Sequence, residues 1–220
     1  INKWIYSELI STKNLAEKHI KDYRFDEATR VIYKFVWNSY CDWYLELSKT
    51  ILFSKNKKYI KEVKTTSGFV FKEALILLHP FIPFITEELW LKNKLGSKKE
   101  KYLMYTSWIK DRKLHKDKET ANVNQVIDII SKIRSFKNEL NVSPGSFIDI
   151  SIQNVGKEKQ NLFLKNEIVL KKLGRISSIF TKDLTNESAN LVISGEIFKI
   201  YFDKNVDLNI IKDNLTKKQD

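Results

Sequence analysis

Cysteine is nearly absent from this sequence: Cys41 stands alone in 220 residues. A single thiol excludes an internal disulfide and any cluster of thiolate metal ligands. Glycine is also scarce. Its six residues are scattered, and nowhere do they form the loop that cradles phosphates on backbone N–H groups. No apolar run is long enough to cross a bilayer, and no segment has the layout of a secretory signal. A cytoplasmic protein with no membrane partner is the expectation.

What is present is positive charge. Lys and Arg number 39 against 27 Asp and Glu, which gives a net +12 and a pI near 9.5. Such a balance draws polyanions, with nucleic acid first among them and an anionic membrane surface second. A codon bias towards lysine, isoleucine and asparagine would raise the pI as well. With 42% hydrophobic residues the chain can bury a core, and its length suits one large or two modest domains. It opens at Ile1 inside a helical pattern, so it is expected to be a piece of something longer.

A boundary is expected near residue 110. Residues 1–110 carry net +8 and residues 111–220 net +4, and all five tryptophans (4, 37, 43, 90, 108) lie in the first part. From Lys3 to about Tyr23, Trp4, Ile5, Leu9, Leu15, Ala16 and Ile20 recur at helical spacing. Asp26 stands where an N-cap belongs, and a long helix is expected from there to about Phe53. A third helix covers about Lys61 to Leu78. Pro80 and Pro83 break it before a fourth that includes Thr86 to Trp90. Four amphipathic helices with short links describe an antiparallel four-helix-type bundle over 1–110.

The second part changes period. Val126, Ile129, Ile130, Ile133, Phe136 and Leu140 form one helical stripe over 122–140, and Asn141 to Gly145 supplies turn chemistry. Residues 147–153 alternate as a strand. A helix is expected at about 160–173, a strand at 175–182, and a hairpin over 191–202 turning at Gly195. The fold class is therefore mainly α, with the bundle followed by a small α/β module over 111–206. From 207 onward Leu208, Ile211 and Leu215 begin another amphipathic helix.

One stretch concentrates aromatic residues: FVWNSYCDWYLE, residues 35–46. On a wheel of 100° per residue, Ala28, Ile32, Phe35, Ser39 and Trp43 fall together as the expected buried stripe. Arg30, Lys34, Trp37, Cys41, Tyr44 and Ser48 gather opposite. Two readings stay open. A central helix with neighbours on both sides would bury Trp37, whereas an aromatic–basic patch would stack unpaired bases and grip phosphates.

Other clusters are plainer. Glu87 and Glu88 near His79 lack the spacing of a helical metal motif. His19 and His115 stand without catalytic partners, and Cys41 is read as a structural thiol. Lys132, Arg134 and Lys137 form a basic strip opposite the apolar stripe of their helix, either solvated or in contact with an RNA backbone.

Residues 35–46, preceded by YRFDEATRVIYKF (23–35) and followed by LHPFIPFITEELW (78–90), resemble the anticodon-binding region of class I tRNA synthetases of the valine type. The segment KIRSFKNELNVSPG (132–145) is similar to one that follows in that family, with Lys137 where the family has an arginine. Residues 212–220 look like the first turns of its C-terminal coiled-coil arm. The resemblance implies tRNA as partner and a catalytic domain elsewhere in a parent enzyme that uses ATP and Mg. No cofactor is implied for this stretch, which has neither the HIGH-type nor the KMSKS-type motif and should not catalyse aminoacylation alone. A monomer is expected.

The implied tRNA surface is one end of the bundle. Lys3, Ser7, Arg24 and Phe25 would lie near the anticodon loop, Arg30, Lys34, Trp37 and Asn38 along the second helix, and Arg134 and Lys137 at a second contact. An isoleucine- or leucine-type synthetase is the nearest competing member. A helical scaffold that braces a larger protein without touching RNA is the rival from another class.

Overall fold

The computed structural model describes residues 1–97, 101–110, 112, 118–184 and 188–202. The expected arm from 207 and His115 lie outside the described residues. The chain forms two compact units, the first Ile1–Ala121 and the second from Asn122 onward. It is mostly helical, with one small four-stranded sheet.

In the first unit, α1 spans Asn2–Lys21 and buries Trp4, Ile5, Leu9, Ile10 and Ala16. Leu15, expected in that stripe, is 46% exposed. Tyr23 takes φ 56, and Arg24 N–H donates to His19 O at 2.8 Å while Tyr23 N–H donates to Ile20 O at 3.1 Å. This left-handed residue with its paired carbonyls closes α1 and turns the chain within a few residues.

Helix α2 covers Phe25–Lys34. Its N-cap is Arg24 rather than Asp26, which lies in the first turn beside Glu27, where carboxylates favour the positive end of the helix dipole. The rod continues without a break as a π-helical segment, Phe35–Leu45, and then as α3, Glu46–Leu52.

The π-helical segment overturns the wheel. Hydrogen bonds closing i→i+5 give roughly 4.4 residues per turn, so the buried face advances by five and four residues instead of four and four. The buried side chains are Phe35, Tyr40 and Tyr44, not Phe35, Ser39 and Trp43. Ser48, expected opposite the core, is also buried, and Trp43 is only half-buried. Tyr40 and Tyr44 stack at 5.9 Å and 18°. Both hydroxyls are satisfied: Tyr40 donates to Ser67 O at 3.1 Å, and Tyr44 donates to Asn2 Oδ1 at 2.9 Å.

Helix α4 (Lys57–Leu78) is capped by Asn56, whose side chain accepts from Lys58 and Tyr59 N–H. Helix α5 (Pro83–Lys92) starts with proline in its first turn, where the missing N–H costs nothing. Helix α1 packs on α2, the π-helical segment and α4, and α4 packs on α3 and α5. Glu87 accepts from Leu103 N–H at 2.9 Å and Met104 N–H at 3.2 Å, while His79 Nδ1 bonds Thr86 Oγ1 at 2.8 Å. Both groups therefore hold structural links.

Helix α6 spans Lys118–Glu139, and within the second unit it buries Val126, Ile129, Ile130, Ile133 and Phe136. Strand β1 (Ile148–Ser151) leads through α7 (Lys157–Lys165) and α8 (Glu167–Gly174) to β2 (Ile176–Phe180), its parallel neighbour. Strands β3 (Ala189–Ile193) and β4 (Glu196–Phe202) form a hairpin, giving the order β2-β1-β4-β3. Ser194 and Gly195 take φ 50 and 80, the two left-handed positions a two-residue hairpin turn needs. Phe163 and Phe198 stack at 5.1 Å in the core beneath the sheet.

Candidate nucleic-acid interface

The exposed rings of the first unit begin at the α1–α2 turn. Tyr23 is 84% exposed and meets Phe25 edge-on at 6.5 Å. Along α2 and into the π-helical segment, Arg30, Tyr33, Lys34, Trp37 and Asn38 follow at i, i+3, i+4, i+7 and i+8. That spacing puts them on one side of the rod. Tyr33 and Trp37 are both exposed and lie parallel, 6.2 Å apart with 4° between planes.

Two guanidinium groups are organised by one carboxylate. Arg24 Nη2 donates to Glu27 Oε1 at 3.1 Å, and Arg30 Nε donates to Glu27 Oε2 at 2.9 Å. The arginines are largely exposed and Glu27 is mostly covered, so the pairs stabilise the fold little. Their consequence is geometric: the two planar forks are drawn to the same carboxylate, one from each side in sequence.

Lys34 also acts on a neighbour. Glu8 is half-buried and accepts from Ser39 Oγ at 3.4 Å. Burial pushes its carboxyl up, while the Ser39 hydrogen bond and the Lys34 charge pull it partly back. Cys41 is half-buried, and burial together with Asp42 raises its pKa. That disfavours a thiolate nucleophile.

At the α1–α2 end, Ile20, Phe25, Pro80, Phe81 and Trp108 wall a cavity of about 540 Å³, together with Glu17 and Lys21. Trp108 Nε1 is buried there without a hydrogen-bond partner among the described residues. The cavity walls are mainly apolar and aromatic, the lining that suits a ring.

Residues 2–152 match the family described as the anticodon-binding domain of tRNA ligase. The chain belongs to that family. The match covers the first unit, α6 and β1, and so every candidate residue from Lys3 to Lys137. Among similar proteins, the valine–tRNA ligase of Pelagibacter ubique (strain HTCC1062) is 58% identical over 219 residues, 100% of this chain and 25% of that protein. The valine–tRNA ligase of Agrobacterium fabrum is 32% identical over 197 residues, 89% of this chain and 21% of that protein. That of Bartonella quintana is 32% identical over 218 residues, 99% and 24%. The chain thus spans about a quarter of the length of the curated relatives it matches.

Within this anticodon-binding domain the structure joins some candidates and separates others. Arg24, Phe25, Arg30, Lys34, Trp37 and Asn38 form a continuous run on the α2 rod, all exposed. Lys3 does not lie near Arg24 and Phe25. Eighteen residues of α1 at about 1.5 Å each separate Lys3 from the turn, roughly 27 Å. Lys3 sits instead beside Glu119 (2.8 Å) at the end where Asn2 meets Tyr44. Ser7 is partly covered and lies level with Asn38, as the neighbouring Glu8–Ser39 contact shows.

The basic strip on α6 is also corrected. Lys137 is 2% exposed, and its Nζ donates to Pro144 O at 3.4 Å and to Ser146 O. Arg134 stays exposed while its Nη2 donates to Leu173 O at 3.0 Å. The helix stripe missed this because the loop at 142–146 folds back over Lys137.

Tyr33 and Glu27 went unnoticed in the sequence. Tyr33 stands four residues before Trp37, a spacing that identifies a stacked helical pair. Glu27 stands three residues from both arginines it pairs with, a signal equally visible in the sequence.

Proposed function

We propose that this chain holds the anticodon stem-loop of a valine-accepting tRNA within a valine–tRNA ligase, whose ATP-dependent aminoacylation is carried out by the remainder of that enzyme. The single observation that carries this is the row of exposed rings and cations on the α2 rod: Arg24, Phe25, Arg30, Tyr33, Lys34 and Trp37. Unpaired loop bases offer faces for stacking, while guanidinium and ammonium groups reach the phosphates between them. The apolar cavity walled by Phe25, Phe81 and Trp108 offers room beside the rod for an extruded base. Membership of the anticodon-binding family and the names of the similar proteins support valine as the amino acid.

In this reading α1 to α5 form an antiparallel bundle that keeps the rod straight and its outer side clear. ATP and Mg belong to the remainder of the ligase. Among the described residues no group of three or more His, Cys, Asp or Glu side chains is placed to hold a metal. Among those residues, too, no helix is long and apolar enough to cross a membrane, and a monomer in the cytoplasm fits the function.

The test is titration of the chain with valine-accepting tRNA at several salt concentrations. Binding should weaken steeply with salt, and a tRNA with a different anticodon should bind less tightly. Absence of binding at low ionic strength would sink the proposal in favour of a scaffold that only braces the enzyme.

A further inference from the structure

The second unit contains a polar cleft that the anticodon contact does not use. Arg134, Lys137, Asn138, Pro144, Leu173 and Gly174 line a cavity of about 320 Å³, with Arg175 at its wall. Three of the lining side chains are cationic and none is a carboxylate. Like charges gathered in one small space repel one another unless an anion joins them.

The cations are held there by the fold. Lys137 is buried against the carbonyls of Pro144 and Ser146, and Arg134 is braced on the carbonyl of Leu173. Arg175 caps α8 in the left-handed conformation, φ 53, a position where glycine is the usual residue. Its guanidinium lies 5.7 Å from the centre of the Phe147 ring. A β-carbon in that conformation is unfavourable. The backbone thus bears strain at the residue that brings the third charge to the cleft. Burial, then the charges of Arg175 and Arg134, lowers the pKa of Lys137.

We infer that this cleft binds a phosphate group, clamped between the Arg134 and Arg175 forks with Lys137 beneath. The planar forks match tetrahedral oxyanions with paired N–H donors, and Lys137 adds a fixed point charge. If the tRNA reading above holds, the occupant is a backbone phosphodiester outside the anticodon. A free phosphate offers the same chemistry.

The experiment has two arms. In the first, the chain is titrated with sodium phosphate at constant ionic strength while NMR follows the Nε–Hε signals of Arg134 and Arg175 and the Gly174 amide. Saturable shifts are expected. They should vanish in Arg175→Gly and be weakened in Arg175→Lys. Glycine accepts the left-handed conformation, so the thermal midpoint of Arg175→Gly should not fall, which separates lost binding from lost fold.

In the second arm, tRNA affinity is measured against salt. Arg175→Gly should lower the slope of log K against log salt by about 1 and weaken low-salt binding about 3- to 10-fold. Phosphate shifts lost in the variant, with an unchanged tRNA profile, would uphold the site and assign it to free phosphate. Failure of the unaltered chain to bind tRNA would count against the anticodon reading alone, leaving the phosphate arm to decide. No saturable phosphate response, together with superimposable tRNA profiles, would overturn the inference.

Discussion

One continuous rod, residues 25–52, carries two rows of rings with opposite fates. Phe35, Tyr40 and Tyr44 point inward, where Tyr44 is wholly buried and burial pushes its hydroxyl pKa up to about 12. Tyr33 and Trp37 point outward and stack on each other in solvent. The residue types are nearly the same, so chemistry does not sort them. The helical pitch does. The widened turns slide the inner row along the sequence, placing Tyr44 in the core and leaving Trp43 at its edge. They also leave an outer side dense in rings, which a protein without a partner has little reason to keep.

The largest expected effect breaks the inner row. Tyr44→Ala should lower unfolding stability by about 3–5 kcal/mol, because it opens a cavity and leaves Asn2 without its donor. Chemical denaturation measures this, and a loss close to that of an exposed site would restore the uniform α-helical pitch. Trp43→Ala should cost less than Tyr44→Ala under the same denaturation. The reverse order would mean that Trp43, not Tyr44, is the core residue.

The outer row answers to a different assay. Trp37→Ala should change stability by less than about 0.5 kcal/mol yet remove about 1–3 kcal/mol of tRNA affinity, the usual value of one stacked base. Equal stability losses for Trp37→Ala and Tyr44→Ala would erase the distinction between the rows. Glu27→Gln tests the arginine pair. It should leave the melting temperature within a few degrees and speed tRNA dissociation without slowing association, as stopped-flow fluorescence would record.

The smallest effect concerns pH. The Glu8 carboxyl sits above its ordinary pKa, so the native state binds its proton more tightly than the unfolded chain. Stability from this group is complete below the unfolded pKa and declines as pH rises through the folded value. Glu8→Gln should therefore be slightly more stable than the parent at neutral pH and no more stable in acid. A difference that grows towards acid instead would place Glu8 in a favourable ion pair.

Local signals made much of the fold legible. Apolar spacing marked α1, α4 and α6, Pro83 opened α5, and alternation with a Ser-Gly turn marked β1 and the β3–β4 hairpin. Motif-length likeness at 23–46 and 78–90 sufficed for the family, while the sequence left Trp37 open between a second packed face and an outward patch. Each of these rests on residues within a few positions of one another. What was missed required partners far away in sequence, such as Asn2 for Tyr44, Glu119 for Lys3, and the Leu173 carbonyl for Arg134.

By itself, then, the sequence determined the positive charge, the helix-rich class, the sheet hairpin and the presence of cations and rings along the second helix. Composition and short-range periodicity suffice for those. Only the tertiary structure decided which rings are core, which end of α1 faces the candidate surface, and that Lys137 turns inward beside Arg134 and Arg175. Those outcomes depend on helical pitch and on loops folding back over side chains, and both are set by packing between segments that no local window contains.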